Sequence, residues 1–580
     1  MENNNRFVLF IVSAFLILFA WSYFFPNTFN PPDQASNAVS QTAPVTGANP
    51  GMGNPPAASA VSKPIHVQKT NNVHAASVTI ETDNYIAVFS NEGAVLTHFQ
   101  LKKYPNRETH QPIELVNPDP SHPKPFSLSY EPIPDLNQKM FEMVGSSKKL
   151  SKPDDKAGLT FRYVDGSGRV LEKDFSFKNG TYLVDFNVTV SQAGGGSTPA
   201  SSLAVEWADT LGQEESTGTS GSKGKYQSSR YGGYRVATLS PSGVDFERPK
   251  GSQESTEIAN ATWTGLANQF FTAVMIPDPS TGGASAKVVR DYHAYQAPTD
   301  ENPNPGEDPK SFNPRPELVF AGQALKSGES FKRNIKVFFG PQEYQLLKGL
   351  GLDPVMDLGT FGFIAVYLLK LLQWLDTWCH SWGLAVILLS IAVKLALWLP
   401  THNSYKNMSL TQKKMKEVQP RMDALKRKYP NDPQKQREEQ AKLFQEAGIN
   451  PLGGCLPLFL QIPVIYALYA ALGHSIELRG AGFLWLKDLT QNDPIYVLPL
   501  LVGVTMILQQ KVSGQMATQT TGQQKMMMWM MPVVLTFIST KWPSGLLLYW
   551  VVTNVLSMVQ QKVVNREIQH AKKKVEESKS

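Results

Sequence analysis

The run SIAVKLALWLP, Ser390–Pro400, holds one lysine, Lys394, among residues suited to hydrocarbon. A charge at that depth costs about 3 kcal/mol on insertion scales. Two readings follow. The ammonium snorkels toward Pro400, about 9 Å along the helix at ~1.5 Å per residue. Otherwise it faces water kept inside the membrane. Polar residues on other apolar segments weigh toward water. Ser390 lies one helical turn before Lys394, and Gln461 sits in the third apolar segment. Thr505, Gln509 and Gln510 close the fourth, while Thr553 and Asn554 lie midway along the last. No carboxylate is evident in these segments to neutralise Lys394. The expected site is a polar groove in the cytoplasmic half of the membrane, stopping short of the outer face. A second feature is Met526-Met527-Met528-Trp529-Met530-Met531. Its thioethers are read mostly as lipid-facing bulk, and alternatively as an adaptable surface for varied partners. Pro532 is expected to kink that helix.

The elements that position these residues follow from two compositions in one chain of 580 residues. RFVLFIVSAFLILFAWSYFF, Arg6 to Phe25, is long enough to span. No small-residue cleavage site follows it, so it reads as an uncleaved anchor over 1–25. Arg6 precedes it and no Lys or Arg follows before Lys63, which places the N-terminus in the cytoplasm. A Pro-, Ala-, Asn- and Ser-rich stretch over 26–74 reads as a flexible linker. From 75 to 345 the period is two. SVTIETDNYIAVFSNEGAVLTHFQL turns at Asn91-Glu92-Gly93, and GLTFRYVDGSGRVLEKDFSF turns at Asp165–Gly168. TYLVDFNVTV and RNIKVFFGP continue the pattern. Many short strands with glycine turns predict a large β-sandwich.

Over 355–381, Lys370, Gln373, Thr377 and His380 share one helical face, opposite Leu368, Leu371, Leu372 and Leu375. That pattern predicts an interfacial amphipathic helix. A span is expected over 382–400, and a charged helical hairpin over 401–450 turning at Tyr429–Pro433. Spans three to six fall within 451–563, the last two joined by KWPS, and a basic tail fills 564–580. Excess Lys and Arg puts hairpin and tail in the cytoplasm. The expected fold class is a multi-pass α-helical membrane protein with six transmembrane helices, a large extracytoplasmic β domain and a cytoplasmic helical hairpin. The hairpin is a solvated helical pair or a docking arm for a client or ribosome. The lysines at 572–574 suit anionic lipid headgroups or ribosomal RNA.

Several classes of chemistry find no support. Two cysteines, Cys379 and Cys455, make neither a disulfide framework nor a zinc site. Gly218–Lys225 suggests a phosphate loop, but its glycine spacing is off by one and Tyr226 stands where Ser or Thr is needed. The β domain offers no catalytic constellation and reads as binding or scaffold. No cofactor, metal or DNA contact is called for.

INPLGGCLPLFLQIPVIYALYAAL (Ile449–Leu472), FLWLKDLTQNDPIYVLPLLVGVTM (Phe483–Met506) and WPSGLLLYWVVTNVLSMVQQ (Trp542–Gln561) resemble the signatures of the YidC membrane protein insertases. The resemblance is close over roughly 355–565 and covers the rest in layout. It implies insertion and folding of nascent inner-membrane proteins, alone or beside the Sec translocon. It implies a five-helix core around a positive groove, and a periplasmic domain like sugar-binding β-supersandwiches. The family's groove charge is usually arginine; Lys394 departs from that. Ser390 matches a position usually held by a hydroxyl residue. Trp550, next to Tyr549, matches an aromatic position lining the client path. The expected groove residues are Lys394, Ser390, Gln461, Thr505, Gln509, Thr553 and Asn554. The expected client contacts are Tyr549, Trp550, Met527 and Met530. Two other readings are weighed: a transporter or channel using Lys394 as an ion site, and an envelope enzyme acting on a sugar. No internal repeat and no acidic partner for Lys394 speak for the transporter.

Overall fold

A computed structural model describes residues 74–106, 110–117, 123–208, 211, 234–247, 255–291, 313–430, 432–449, 456–514 and 522–577. The expected anchor, nearly all of the expected linker, Gly218–Lys225 and Cys455 lie outside these residues. The chain divides into two compact units, one ending at Pro341 and one resuming at Gln342.

The first unit is built from three sheets. The largest has nine strands, with Leu183–Gln192 paired antiparallel to Arg169–Lys178 on one side and Ser330–Pro341 on the other. Its period-two pattern buries Val184, Phe186, Val188 and Val190. A five-stranded sheet carries Ser77–Glu81, Tyr85–Ser90 and Val95–Pro105. Another places Asn313–Phe320 between Leu203–Glu206 and Ala284–Asp291. Aromatic rings join the layers. Phe89 lies 4.7 Å from Phe175, Phe99 4.3 Å from Phe339, and Trp207 5.2 Å from Phe339. Such pairs add ~0.5–1.5 kcal/mol each beyond the area they bury.

A fully buried charged residue lies in that core. Lys173 is fully buried, and its Nζ donates to the carbonyls of Gly93 at 2.7 Å, Ala94 at 3.2 Å and Phe126 at 2.8 Å. All three acceptors sit at positive φ, between 50° and 68°. The ammonium thus ties two tight loops to the nine-stranded sheet.

The second unit is helical: α1 (Tyr344–Gly349), α2 (Gly362–Cys379), α3 (Trp382–Ala396), α4 (Trp398–Lys428), α5 (Pro433–Glu446), α6 (Leu456–His474), α7 (Val497–Val512), α8 (Gly522–Ser539) and α9 (Ser544–Glu577). α2 buries Ala365, Leu368, Leu369 and Leu372 and exposes Phe363, Tyr367, Trp374 and Trp378. The expected two faces are therefore modified. Leu371 and Leu375 are only half-buried, while Gln373 of the polar face donates to Glu477 at 2.7 Å.

The expected span over 382–400 is divided between two helices. α3 stops at Ala396 and α4 departs at 66°. Pro400 is the physical reason. It has no N–H to give the Ala396 carbonyl, and its ring crowds that oxygen, but it fits the first turn of a new helix. Among the described residues no single helix is long and apolar enough to cross a membrane by itself. α3 and α4 pass that test together, and α7 and Met528–Ser539 are apolar but short. The hairpin α4–α5 closes on a small core of Val418, Met422, Leu443 and Ile449. α9 runs without interruption from the last apolar segment into the basic tail.

Candidate functional site: a polar seam around Lys394

α9 carries Thr553, Asn554, Ser557, Gln560 and Gln561 at successive helical turns, all buried. Residues spaced by three and four share one face. This polar stripe packs on α3, α4 and α7, and each of those helices meets it with polar groups. From α3, Lys394 Nζ donates to Ser557 Oγ at 2.8 Å. From α4, Thr401 Oγ1 receives a bond from Gln560 at 3.1 Å, and Ser409 Oγ one from Gln561 at 2.8 Å. From α7, Thr505 Oγ1 receives a bond from Asn554 at 3.0 Å. Buried polar groups need such partners, because an unmade hydrogen bond costs ~1–3 kcal/mol.

Lys394 is 7% exposed. Its ammonium turns across the bundle to α9 and lies 5.3 Å from the centre of the Tyr405 ring. It has no carboxylate partner and no further hydrogen bond among the described residues. The charge is thus held by one hydroxyl and a ring, neither of which neutralises it.

The other expected groove residues fall as follows. Ser390 is fully buried one turn from Lys394, but its hydroxyl donates to Val386 of its own helix at 2.7 Å. Thr505 and Thr553 also donate back along their helices, to Leu501 at 2.7 Å and Tyr549 at 2.9 Å. Gln509 is half-buried on α7, one turn after Thr505. Gln461 is set apart from Lys394's partners. It donates to the Tyr549 hydroxyl at 2.6 Å, linking α6 to α9.

Of the expected client contacts, Tyr549 is 1% exposed and Trp550 is half-buried, stacked on Trp542 at 5.2 Å. Met530 is half-buried beside exposed Met526 and Trp529. The Met527 side chain lies outside the described residues. Tyr405, Ser557, Thr401, Gln560 and Gln561 were not foreseen. The stripe on α9 was visible as helical spacing. Tyr405 was hidden because it follows Pro400 in a segment that reads as a solvated hairpin. No cluster of His, Cys, Asp or Glu able to hold a metal occurs among the described residues.

The chain thus joins a β unit to a helical unit with a charged polar seam. Family comparisons sharpen that description. The profile described as "YidC periplasmic domain" matches residues 77–371, and that described as "60Kd inner membrane protein" matches residues 374–573. The membrane protein insertase YidC of Geobacter metallireducens is 31% identical, over 98% of this chain and all of its own length. That of Geotalea daltonii is 31% identical over 97% of this chain and 99% of its own. A crystal structure of an active YidC insertase with its first transmembrane domain resolved is 17% identical, covering 82% of this chain and 90% of its own, at a TM-score of 0.33. A putative aldose 1-epimerase of Escherichia coli is 10% identical, covering 46% of this chain and 99% of its own, at a TM-score of 0.27.

The chain belongs to the YidC family of membrane protein insertases. The family consists of bacterial inner-membrane proteins with a periplasmic domain, and its members are insertases rather than enzymes.

Proposed function

We propose that this chain inserts and helps fold nascent inner-membrane proteins, alone or beside the Sec translocon. The observation that carries the reading is Lys394: a buried, unneutralised cation inside a polar seam of otherwise apolar helices. A client's polar extracytoplasmic tail cannot cross hydrocarbon unaided. A wet seam in the inner half of the membrane shortens the apolar path, and the positive potential attracts acidic tails transiently. The client's apolar helix then leaves past α6 and α8, and burying it in lipid drives release at ~25 cal/mol per Å². Ser390, Thr505, Gln509, Thr553 and Asn554 keep the path polar, and Gln461 marks its α6 side. Tyr549, Trp550, Met527 and Met530 are the residues assigned to guide the apolar helix.

The topology proposed is six spans with both termini in the cytoplasm and the β domain in the periplasm. The hairpin α4–α5 and the lysines at 572–574 are the candidate contacts for ribosomes and lipid headgroups. The testing experiment is insertion of a short single-span client into liposomes containing the purified chain. The expected result is a client tail protected from external protease only when the chain is present. Equal protection in empty liposomes contradicts the proposal.

A further inference from the structure

A lysine is a flexible point charge, whereas arginine presents a rigid five-donor fork. A lysine that must offer its charge at one place in a seam therefore needs to be held there, and it loses ~2 kcal/mol of rotamer freedom when it is. An acidic partner would hold it but would cancel the charge. The seam uses another arrangement. Ser557 Oγ donates to the Thr553 carbonyl of its own helix at 2.7 Å, which directs its lone pairs away from that oxygen. One of them accepts from Lys394 Nζ at 2.8 Å. The Tyr405 ring lies with its centre 5.3 Å from the ammonium. The face of a ring attracts a cation without neutralising it. Ser557 is 7% and Tyr405 6% exposed. The holders come from α4 and α9, so the geometry depends on the bundle rather than on α3 alone.

We propose that Ser557 and Tyr405 are positioning residues for the Lys394 charge: they fix the ammonium in the seam un-neutralised, leaving two of its N–H donors for an acceptor on the client. The inference rests on the insertase reading given above. Ser557 acts through hydrogen bonding and Tyr405 through its ring.

Two measurements on the full chain in lipid test it. The first is the rate at which a small amine-reactive reagent labels Lys394, followed by mass spectrometry. Ser557→Ala is expected to raise labelling about three- to tenfold, within the range of a typical net hydrogen bond. Ser557→Thr is expected to return it most of the way, and Tyr405→Phe, which keeps the ring, to change it less than Tyr405→Leu. The second is client insertion in liposomes. Ser557→Ala is expected to slow insertion by a similar factor, with Ser557→Thr recovering most of the loss. In a Lys394→Gln background Ser557→Ala is expected to add nothing, because its effect passes through the ammonium. Unchanged labelling in both Ser557→Ala and Tyr405→Leu overturns the inference, as does a Ser557→Ala loss that multiplies with that of Lys394→Gln. Labelling that shifts as expected, with Lys394→Gln inserting at the native rate, upholds the positioning and overturns the role of the cation in insertion.

Discussion

Two buried lysines meet the same physical problem with different solutions. Lys394 keeps a hydroxyl and a ring, and its charge stays available. Lys173 is surrounded by three carbonyls and has no role in the seam. Burial lowers the Lys173 ammonium from 10.5 to about 7, and the Glu206 carboxylate opposes that shift. The sign of its linkage to stability follows. Between about 7 and 10.5 the unfolded chain keeps a proton that the folded chain has released. The unfolded state therefore binds more protons, and stability rises with pH across that window. We predict that hydrogen exchange of the core amides of Arg169–Lys178 slows, beyond the intrinsic pH effect, from pH 7 to pH 10. The expected gain is a few kcal/mol, and Lys173→Met should flatten the rise. A gain that persists in Lys173→Met would assign it to another group. The sequence made Lys394 conspicuous because everything around it is apolar. Lys173 was not conspicuous, because a lysine in an alternating strand reads as an outward residue.

Among the elements, the bend between α3 and α4 brings Tyr405 to Lys394. A straight continuation would carry Tyr405, eleven residues on, about 16 Å along the axis. Pro400 was read as the end of a span, whereas it opens the next helix. Close contacts elsewhere place small residues where helices and loops meet. Gly383 of α3 lies against the Phe483 ring, so that a Cβ there would overlap the ring and the base of that side chain. Gly383→Ala gains ~1 kcal/mol of helix propensity and loses ~1–3 kcal/mol to overpacking. We predict a net fall in melting temperature in detergent, removed when Phe483→Ala is combined with it. A melting temperature that rises in Gly383→Ala alone would show that the ring yields freely. The loop after α6 explains why LTQNDP stands where it does. Asp493 accepts from the Leu498 N–H at 2.7 Å at the start of α7, and the carbonyls of Gln491 and Leu489 accept from Ser544 and Gly545 at the start of α9. The two carbonyl caps on α9 are set by backbone geometry, which residue patterns do not reveal.

At the scale of the whole molecule, the strand pattern between 75 and 345 and the apolar segments after 355 made the two-unit organisation legible. The strands at Tyr85–Ser90, Arg169–Lys178, Leu183–Gln192 and Ser330–Pro341 lie where alternation placed them. The division into three sheets was not legible, because sheet membership depends on pairing between distant strands. The seam was partly legible. Its residues were found by looking for polar groups in apolar runs, and those already polar in context, such as Tyr405, escaped. In the proposed mechanism, a bundle built around an un-neutralised cation moves the polar part of a client into the membrane. The most direct test is insertion of a short single-span client with an acidic tail into liposomes holding the native chain, Lys394→Arg, Lys394→Gln or Lys394→Leu. The account predicts that Lys394→Arg retains insertion, while the Gln and Leu variants lose it by tenfold or so, about 1.4 kcal/mol of barrier. Native rates in Lys394→Leu would contradict it and leave the seam to act through its polarity alone.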